Sequence, residues 1–347
     1  MQKEITIYDI ARELNLSTAT ISRALNNDAA VTERTKRRIV EKAEQLGYRY
    51  NSFASNLRQQ KTHTIGVIVP QLNSNFISSV LSGIEKVTAL SKYDLIIGHS
   101  SEHFEKEVAN ASNFYHKRVD GILAALAVDT QNLDHYEPFF ERNIPVVFFD
   151  RVEEDSKGTK IIINNFKAGY SATQHLIEQG CKRIVHITSN LKRNVYEQRY
   201  QGYRAALKDN RIRFNENYLF LNDLNDDSIS AVARQIAEMQ PLPDGVFAGN
   251  DQTAAVCIQV FKEKGIRIPE DIAIVGFNND AISKIVEPQL TTINYPGSDM
   301  GVVAATHLLK QLSGAEDISH TNSIVLNSQL VIRKSSLKSE VLKLSKL

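Results

Sequence analysis

Apolar positions in the first 26 residues recur at helical spacing in two short blocks. Ile7, Ile10, Ala11 and Leu14 form the first, and Ile21, Ala24 and Leu25 the second, the pattern of two amphipathic helices. Between them Asn15 sits where a sharp turn wants positive φ, which Asn tolerates better than most residues. Ser17 stands before Thr18-Ala19-Thr20-Ile21 as an N-cap for the second helix. A third helix is predicted from about residue 32 to 46, with Thr32 as its N-cap and Gly47 as its C′ stop. Residues 52–60 are then polar except for Phe53, Ala54 and Leu57, a stretch too short to be a stable helix alone.

From Ile65 the period changes. Ile65-Gly66-Val67-Ile68-Val69 is a continuous apolar run closed by Pro70, as expected for a buried parallel strand. Further strands are predicted at 94–97, 121–124 and 146–149, and a second series at 183–188, 218–221, 245–248 and 272–277. Helical patterns separate them at 76–90, 105–116, 168–179, 196–207, 228–239 and 253–264, and the chain ends with a helix at 300–312 and a β-rich stretch at 323–332. Two successive βα series predict two doubly wound lobes with parallel sheets, and a ligand between them beyond the carboxyl ends of the strands.

The chain has 347 residues, with 41 basic and 40 acidic side chains, so net charge says nothing about partners. Its distribution says more, because residues 1–62 carry eleven Lys/Arg against seven Asp/Glu. A basic head on a slightly acidic body suits a DNA-binding module attached to a sensing one. Cys181 and Cys257 lack CxxC spacing and read as free thiols. No apolar leader or membrane-length run is visible, so a cytoplasmic protein without membrane contact is expected. The outward residues of the second helix are small or hydrogen-bonding with one Arg, which suits a helix laid in a major groove.

The ordered set formed by residues 6–26, Ala43-Glu44-Gln45-Leu46-Gly47-Tyr48, Pro145-Val146-Val147-Phe148-Phe149-Asp150-Arg151, Arg199-Tyr200-Gln201-Gly202-Tyr203, Ala248-Gly249-Asn250-Asp251, Ile274-Val275-Gly276-Phe277-Asn278 and Leu290-Thr291-Thr292-Ile293 closely resembles the LacI/GalR family of bacterial transcription regulators. The resemblance is colinear from about residue 5 to 333. It implies an all-α helix-turn-helix head at 1–50, a hinge helix and linker at 51–62, and a periplasmic-binding-protein-like α/β effector and dimerisation domain at 63–334. Its N-lobe is expected at about 63–162 and 293–322 and its C-lobe at about 163–292 and 323–334, with a tail at 335–347. It further implies a homodimer on a palindromic double-stranded operator, acting as a repressor of carbohydrate-utilisation genes.

By the same resemblance Thr18, Ala19 and Arg23 read bases and Thr20 and Ser22 lie near phosphates. Asn26 belongs to the same DNA-binding set, holding a backbone or core position as Tyr8 and Tyr48 do. Leu57 takes the place of the hinge leucine that wedges into the minor groove, which agrees with the kink an apolar wedge produces. The effector positions are Asn75, Phe76, Asp150, Arg193, Arg199, Asn250 and Asn278, with Arg151 beside them. Carboxamides and guanidinium forks suit the hydroxyl pairs of a sugar. Asn278 stands where many sugar-binding members have Asp, so an acidic or phosphorylated carbohydrate is expected over a neutral one. No cofactor and no metal is expected. Neither a phosphate loop nor a nucleophile elbow occurs, which leaves an enzyme the poorest reading. A two-lobed sugar receptor without a DNA role is the alternative, and the head argues against it. Leu337, Val341 and Leu344 span less than two heptads, so a dimer is expected rather than a tetramer.

Overall fold

The computed structural model describes residues 5–48, 61–222, 226–317 and 323–338. The chain divides into two compact units, Met1–Thr62 and His63–Leu347.

In the first unit three helices, α1 (Ile7–Leu14), α2 (Thr18–Leu25) and α3 (Glu33–Leu46), enclose a core of Ile10, Ala11, Leu14, Ile21, Ala24, Val31, Ile39 and Ala43. Their ends follow from local chemistry. The Asp9 carboxylate accepts from both the backbone N–H and the hydroxyl of Thr6, at 2.9 and 2.7 Å. Asn15 closes α1 in the left-handed region at φ 54°, ψ 45°. Ser17 Oγ accepts from the Thr20 N–H at 3.1 Å, which satisfies one of the open donors of α2.

The second unit holds two six-stranded sheets. In chain order its elements are β1 (Thr64–Val69), α4 (Asn75–Leu90), β2 (Asp94–His99), α5 (Phe104–Lys117), β3 (Gly121–Ala124), α6 (Glu137–Glu141), β4 (Val146–Phe149) and β5 (Thr159–Ile163). Then follow α7 (Asn165–Glu178), β6 (Ile184–Thr188), α8 (Asn194–Asp209), β7 (Leu219–Leu221), α9 (Asp226–Glu238), β8 (Gly245–Ala248), α10 (Asp251–Glu263), β9 (Ala273–Asn278), α11 (Ile282–Ile285), β10 (Thr291–Asn294), α12 (Gly297–Leu312), β11 (Ser323–Leu326) and β12 (Gln329–Val331). The first sheet runs β11-β5-β4-β3-β1-β2 and the second β12-β10-β9-β8-β6-β7. All pairings are parallel except β10 with β12.

The fully buried strands explain the continuous apolar runs: every residue of β3, β4, β6 and β8 is buried, as sheets covered on both faces require. Helix pairs pack closely where glycines face a neighbour's backbone. A Cβ on Gly169 of α7 would collide with the Arg199 carbonyl of α8, and one on Gly202 with the Phe166 carbonyl. That close approach fixes the height of α8, and with it Arg199, against the second sheet.

Three details differ from the expected lobe boundaries. Residues 323–326 belong to the first lobe, because β11 pairs in parallel with β5, and the chain returns to the second lobe only with β12 on β10. The lobe change expected at 293 falls between β10 and α12, since Ile293 and Asn294 still pair with β9. Residues 335–338 are no loose tail: Ser335 Oγ donates to the Ile274 carbonyl at 2.7 Å, and Ser336 Oγ lies 2.7 Å from His175 Nε2 and 2.6 Å from Thr291 Oγ1. Val341 and Leu344, the later two of the proposed heptad positions, lie outside the described residues.

Candidate functional site

On the head, the surface of α2 opposite the core carries the expected reading residues. Ala19, Arg23 and Asn26 are exposed and Thr18, Thr20 and Ser22 half-buried. Arg23 has no ion-pair partner among the described residues. Two of the set are partly engaged: Thr20 Oγ1 lies 2.9 Å from Ser17 Oγ, and Asn26 Nδ2 donates to the Ser22 carbonyl at 2.8 Å. Tyr48 packs on the head core, whereas Tyr8, given a backbone or core position above, is 67% exposed. The periodicity of α1 explains it, since Ile7, Ile10, Ala11 and Leu14 take the inner face and turn Tyr8 outward. Leu57, with the whole segment 51–58, lies outside the described residues.

In the second unit a narrow cleft of about 70 Å³ lies between the lobes. Its walls come from the carboxyl ends of strands: Pro70 and Gln71 after β1, Asp150 and Arg151 after β4, Gly249 and Asn250 after β8, and Asn278 at the end of β9. Strand ends are where an α/β sheet leaves backbone and side chains open to a ligand. Phe76, Tyr196, Arg199 and Tyr295 also line it. Five expected positions thus converge there: Phe76, Asp150, Arg199, Asn250 and Asn278.

The buried groups of this cleft answer one another across the lobes. Asp150, held at φ 59°, accepts from the Tyr295 hydroxyl at 2.6 Å. Burial pushes its carboxyl up, while Arg151, the Tyr295 hydroxyl and Arg199 draw it back down. Arg151 donates to Glu102 Oε2 at 2.6 Å and to the Tyr196 oxygen at 2.9 Å. Arg199 lies 3.6 Å above the Phe277 ring, a cation–π contact, and its Nε donates to Asn165 Oδ1 at 2.9 Å. Burial pulls this guanidinium down from its usual range. Asn250 Oδ1 caps α10 through the Thr253 N–H at 2.7 Å. Asn278, at φ 114°, donates to Asp280 at 3.3 Å.

Two expected members do not line the cleft. Asn75 is exposed on the first turn of α4, where the helix phase turns Phe76 inward instead. Arg193 is buried and occupied elsewhere: Nη1 donates to Glu153 at 2.7 Å and Nη2 to the Thr130 carbonyl at 2.8 Å. It pins α8 to the first lobe, together with Asn194, which accepts from the Val152 N–H and donates to the Asp150 carbonyl. The arginines at and beside the cleft therefore do not favour the acidic carbohydrate expected above. Arg193 is matched by Glu153, Arg151 by Glu102, and Arg199 sits near Asp150.

Tyr295 and Tyr196 were missed as site residues. A strand end at 291–294 was the available signal for Tyr295, but three of that strand's four residues are threonine or asparagine. Cys181 and Cys257 are buried and unpaired. No His/Cys/Asp/Glu group that could hold a metal occurs among the described residues. No helix among them is long and apolar enough to cross a membrane.

Residues 6–51 match the model of bacterial regulatory proteins of the lacI family, and residues 173–336 that of the periplasmic binding protein-like domain. Catabolite control protein A of Priestia megaterium is 32% identical over 89% of this chain and 93% of its own. The HTH-type transcriptional repressor PurR of Vibrio atlanticus is 32% identical over 96% of this chain and 98% of its own. Among solved structures, a complex of the transcriptional regulator CelR with cellobiose shares 25% identity at a TM-score of 0.70, covering 96% of this chain and all of that one. The lac repressor dimer bound to operator, at 23% identity, a TM-score of 0.85 and 97% and 100% coverage, shares the fold.

Proposed function

Since the chain belongs to the LacI family of bacterial DNA-binding regulators, we propose that it is a repressor of carbohydrate-utilisation genes that binds a palindromic operator as a homodimer and is switched by a small sugar or sugar derivative between its lobes. The observation that carries this reading is the pairing of an open polar face on α2, with Arg23 unengaged, and a cleft whose polar groups bridge two lobes. Thr18, Ala19 and Arg23 meet base edges, Thr20 and Ser22 meet phosphates, and Asn26 holds the end of α2. Arg23 bonds a guanine edge in a bidentate way, and Ala19 offers apolar contact, for example to a thymine methyl. Leu57 is the minor-groove wedge.

In the cleft, Asp150, Arg199, Asn250 and Asn278 supply acceptors and donors for hydroxyls, and Phe76 an apolar face. Because the cleft's cations are each matched, a neutral sugar is favoured over an acidic one, the reverse of what Asn278 alone suggested. A ligand moves the lobes only if it prefers one arrangement. Exchange of the Asp150–Tyr295 bond for a ligand bond gives it that preference. The names of relatives as transcriptional repressors and the cellobiose complex of a relative support the reading.

Selection from a library of inverted repeats, followed by footprinting with and without neutral sugars, uronates and sugar phosphates, tests it. Selection of an inverted repeat and its release by a neutral sugar are expected. Leu57→Ala should weaken the selected site far more than random DNA, because random-site affinity rests on phosphate charge. Selection of no repeat, or release by acids alone, overturns the corresponding part.

A further inference from the structure

Two cavities share a wall formed by Phe76, Asn278 and Tyr295. Tyr295 lies on Phe76 with ring centroids 4.2 Å apart and planes 24° off parallel, and its hydroxyl is bound to Asp150. On one side is the cleft of about 70 Å³, space for about two waters. On the other is a cavity of about 280 Å³ that shares Phe76, Asn278 and Tyr295 with the cleft and adds Asn279, Asn294 and Ser298. Small-ligand sites run roughly 300–1,000 Å³. The inner space is well below that range while Tyr295 holds Asp150, and the outer space lies near its lower end.

The outer lining is chemically selective. Its carboxamides and hydroxyls offer paired donors and acceptors. It contains Asp280 and Asp299 and no Lys or Arg, so an anionic group is disfavoured. The outer lining includes two consecutive asparagines at positive φ, Asn278 at 114° and Asn279 at 61°. Such backbone persists where its surroundings hold it, commonly at ligand sites and switches.

We propose that the effector is a neutral two-unit glycoside and that Tyr295 is a movable partition. The inner unit replaces the Tyr295 hydroxyl on Asp150 beside Arg199. The outer unit fills the larger cavity against Asn279, Asn294 and Ser298. This rests on the reading of the interlobe cleft as the effector site. The Tyr295–Asp150 bond acts as a built-in competitor: the ligand restores to Asp150 the hydrogen bond that it displaces, and the second unit supplies the surplus.

Calorimetry on the full-length protein with glucose, galactose and ribose, and with cellobiose, maltose, lactose and trehalose, tests this. At least one disaccharide should bind tenfold or more tightly than its constituent monosaccharides. Ser298→Tyr, which fills the outer cavity from an exposed position, should erase that margin and leave monosaccharide Kd within twofold. Asp299→Tyr, on the neighbouring exposed position, serves as the duplicate should the first variant misfold. Tyr295→Phe should tighten the disaccharide severalfold by removing the competitor. A monosaccharide binding as tightly as every disaccharide containing it, indifferent to Ser298→Tyr, overturns the two-unit inference and leaves the cleft reading standing. Binding of neither class overturns both.

Discussion

The DNA-reading head and the interlobe cleft keep their polar groups in opposite conditions. On α2 the residues proposed to meet DNA include the exposed Ala19, Arg23 and Asn26, and Arg23 has no ionic partner among the described residues. In the cleft Asp150, Arg151 and Arg199 are buried, and each already has a partner inside the protein. A face that reads DNA must keep its donors available for an outside surface. A cleft that signals works by exchange, trading internal partners for ligand and so altering how the lobes are tied. Substitutions in the head should therefore change affinity without stability, and those in the cleft both together.

The largest departure is expected at Arg151→Ala. It removes the Glu102 ion pair, the cation beside Asp150 and the Tyr196 contact across the lobes. Breaking a buried pair by removing one partner costs about 3–5 kcal/mol, read as a fall in the urea midpoint of the effector unit. An unchanged midpoint would show that the cleft is no more self-satisfied than the head.

Next comes acid sensitivity. His186 is buried between Phe247 and Tyr203, with Nδ1 3.0 Å from the Phe247 carbonyl, and burial pushes it down to about 4. Its unfolded value is about 6.5. Between these values the unfolded chain holds the extra proton, so His186 supports stability above pH 6.5 and withdraws it as pH falls toward 4. The loss approaches roughly 3 kcal/mol. Asp251, pushed up to about 7 chiefly by burial, acts oppositely: it takes up its proton more readily when folded, so falling pH favours the fold. Only the difference between wild type and His186→Phe isolates the histidine. That difference should change by about 1.4 kcal/mol per pH unit inside the window and be flat above it. A flat difference throughout would mean that His186 does not titrate with folding.

The same contrast decides what the sequence disclosed. The head was legible because its determinants are local: i, i+3 and i, i+4 apolar spacing, Asn15 in the turn, and caps at Ser17 and Thr32. In the cleft, Asp150, Asn250 and Asn278 came from the family resemblance, and they lie at or just after the ends of β4, β8 and β9. Side chains placed by distant partners were not legible. Tyr295 meets Asp150 from 145 residues away, and Arg193 leaves the cleft for Thr130 and Glu153, which no spacing reveals. Strands β5 and β10 escaped notice because Thr159, Lys160, Thr291 and Thr292 are polar yet buried. The Lys160 ammonium, for instance, is spent on the Ser156 carbonyl at 2.8 Å.

Arg23→Ala sharpens the head's side of the comparison. It should cost about 1–3 kcal/mol on the selected operator and relax preference at one base pair per half-site. The unfolding midpoint should stay within about 0.5 kcal/mol of wild type, as for exposed substitutions generally. Equal loss on every DNA sequence would place Arg23 on phosphate instead.

The smallest effect compares two asparagines at positive φ. Asn15 at φ 54°, ψ 45° sits near the left-handed minimum, where Asn is tolerated and the turn needs nothing more. Asn278 at φ 114° lies well outside that minimum, a placement that costs about 1–3 kcal/mol for a residue with a Cβ. Glycine relieves such strain but loses about 0.4–1 kcal/mol through the freer unfolded chain. Asn278→Gly should therefore raise stability by about 1 kcal/mol, and Asn15→Gly should move it by only a few tenths. If Asn278 is kept for its carboxamide in the cleft, the stabilised variant should also respond more weakly to effector, while operator affinity without effector stays the same. A gain in stability with the response intact would assign the strain to the fold and remove Asn278 from the site.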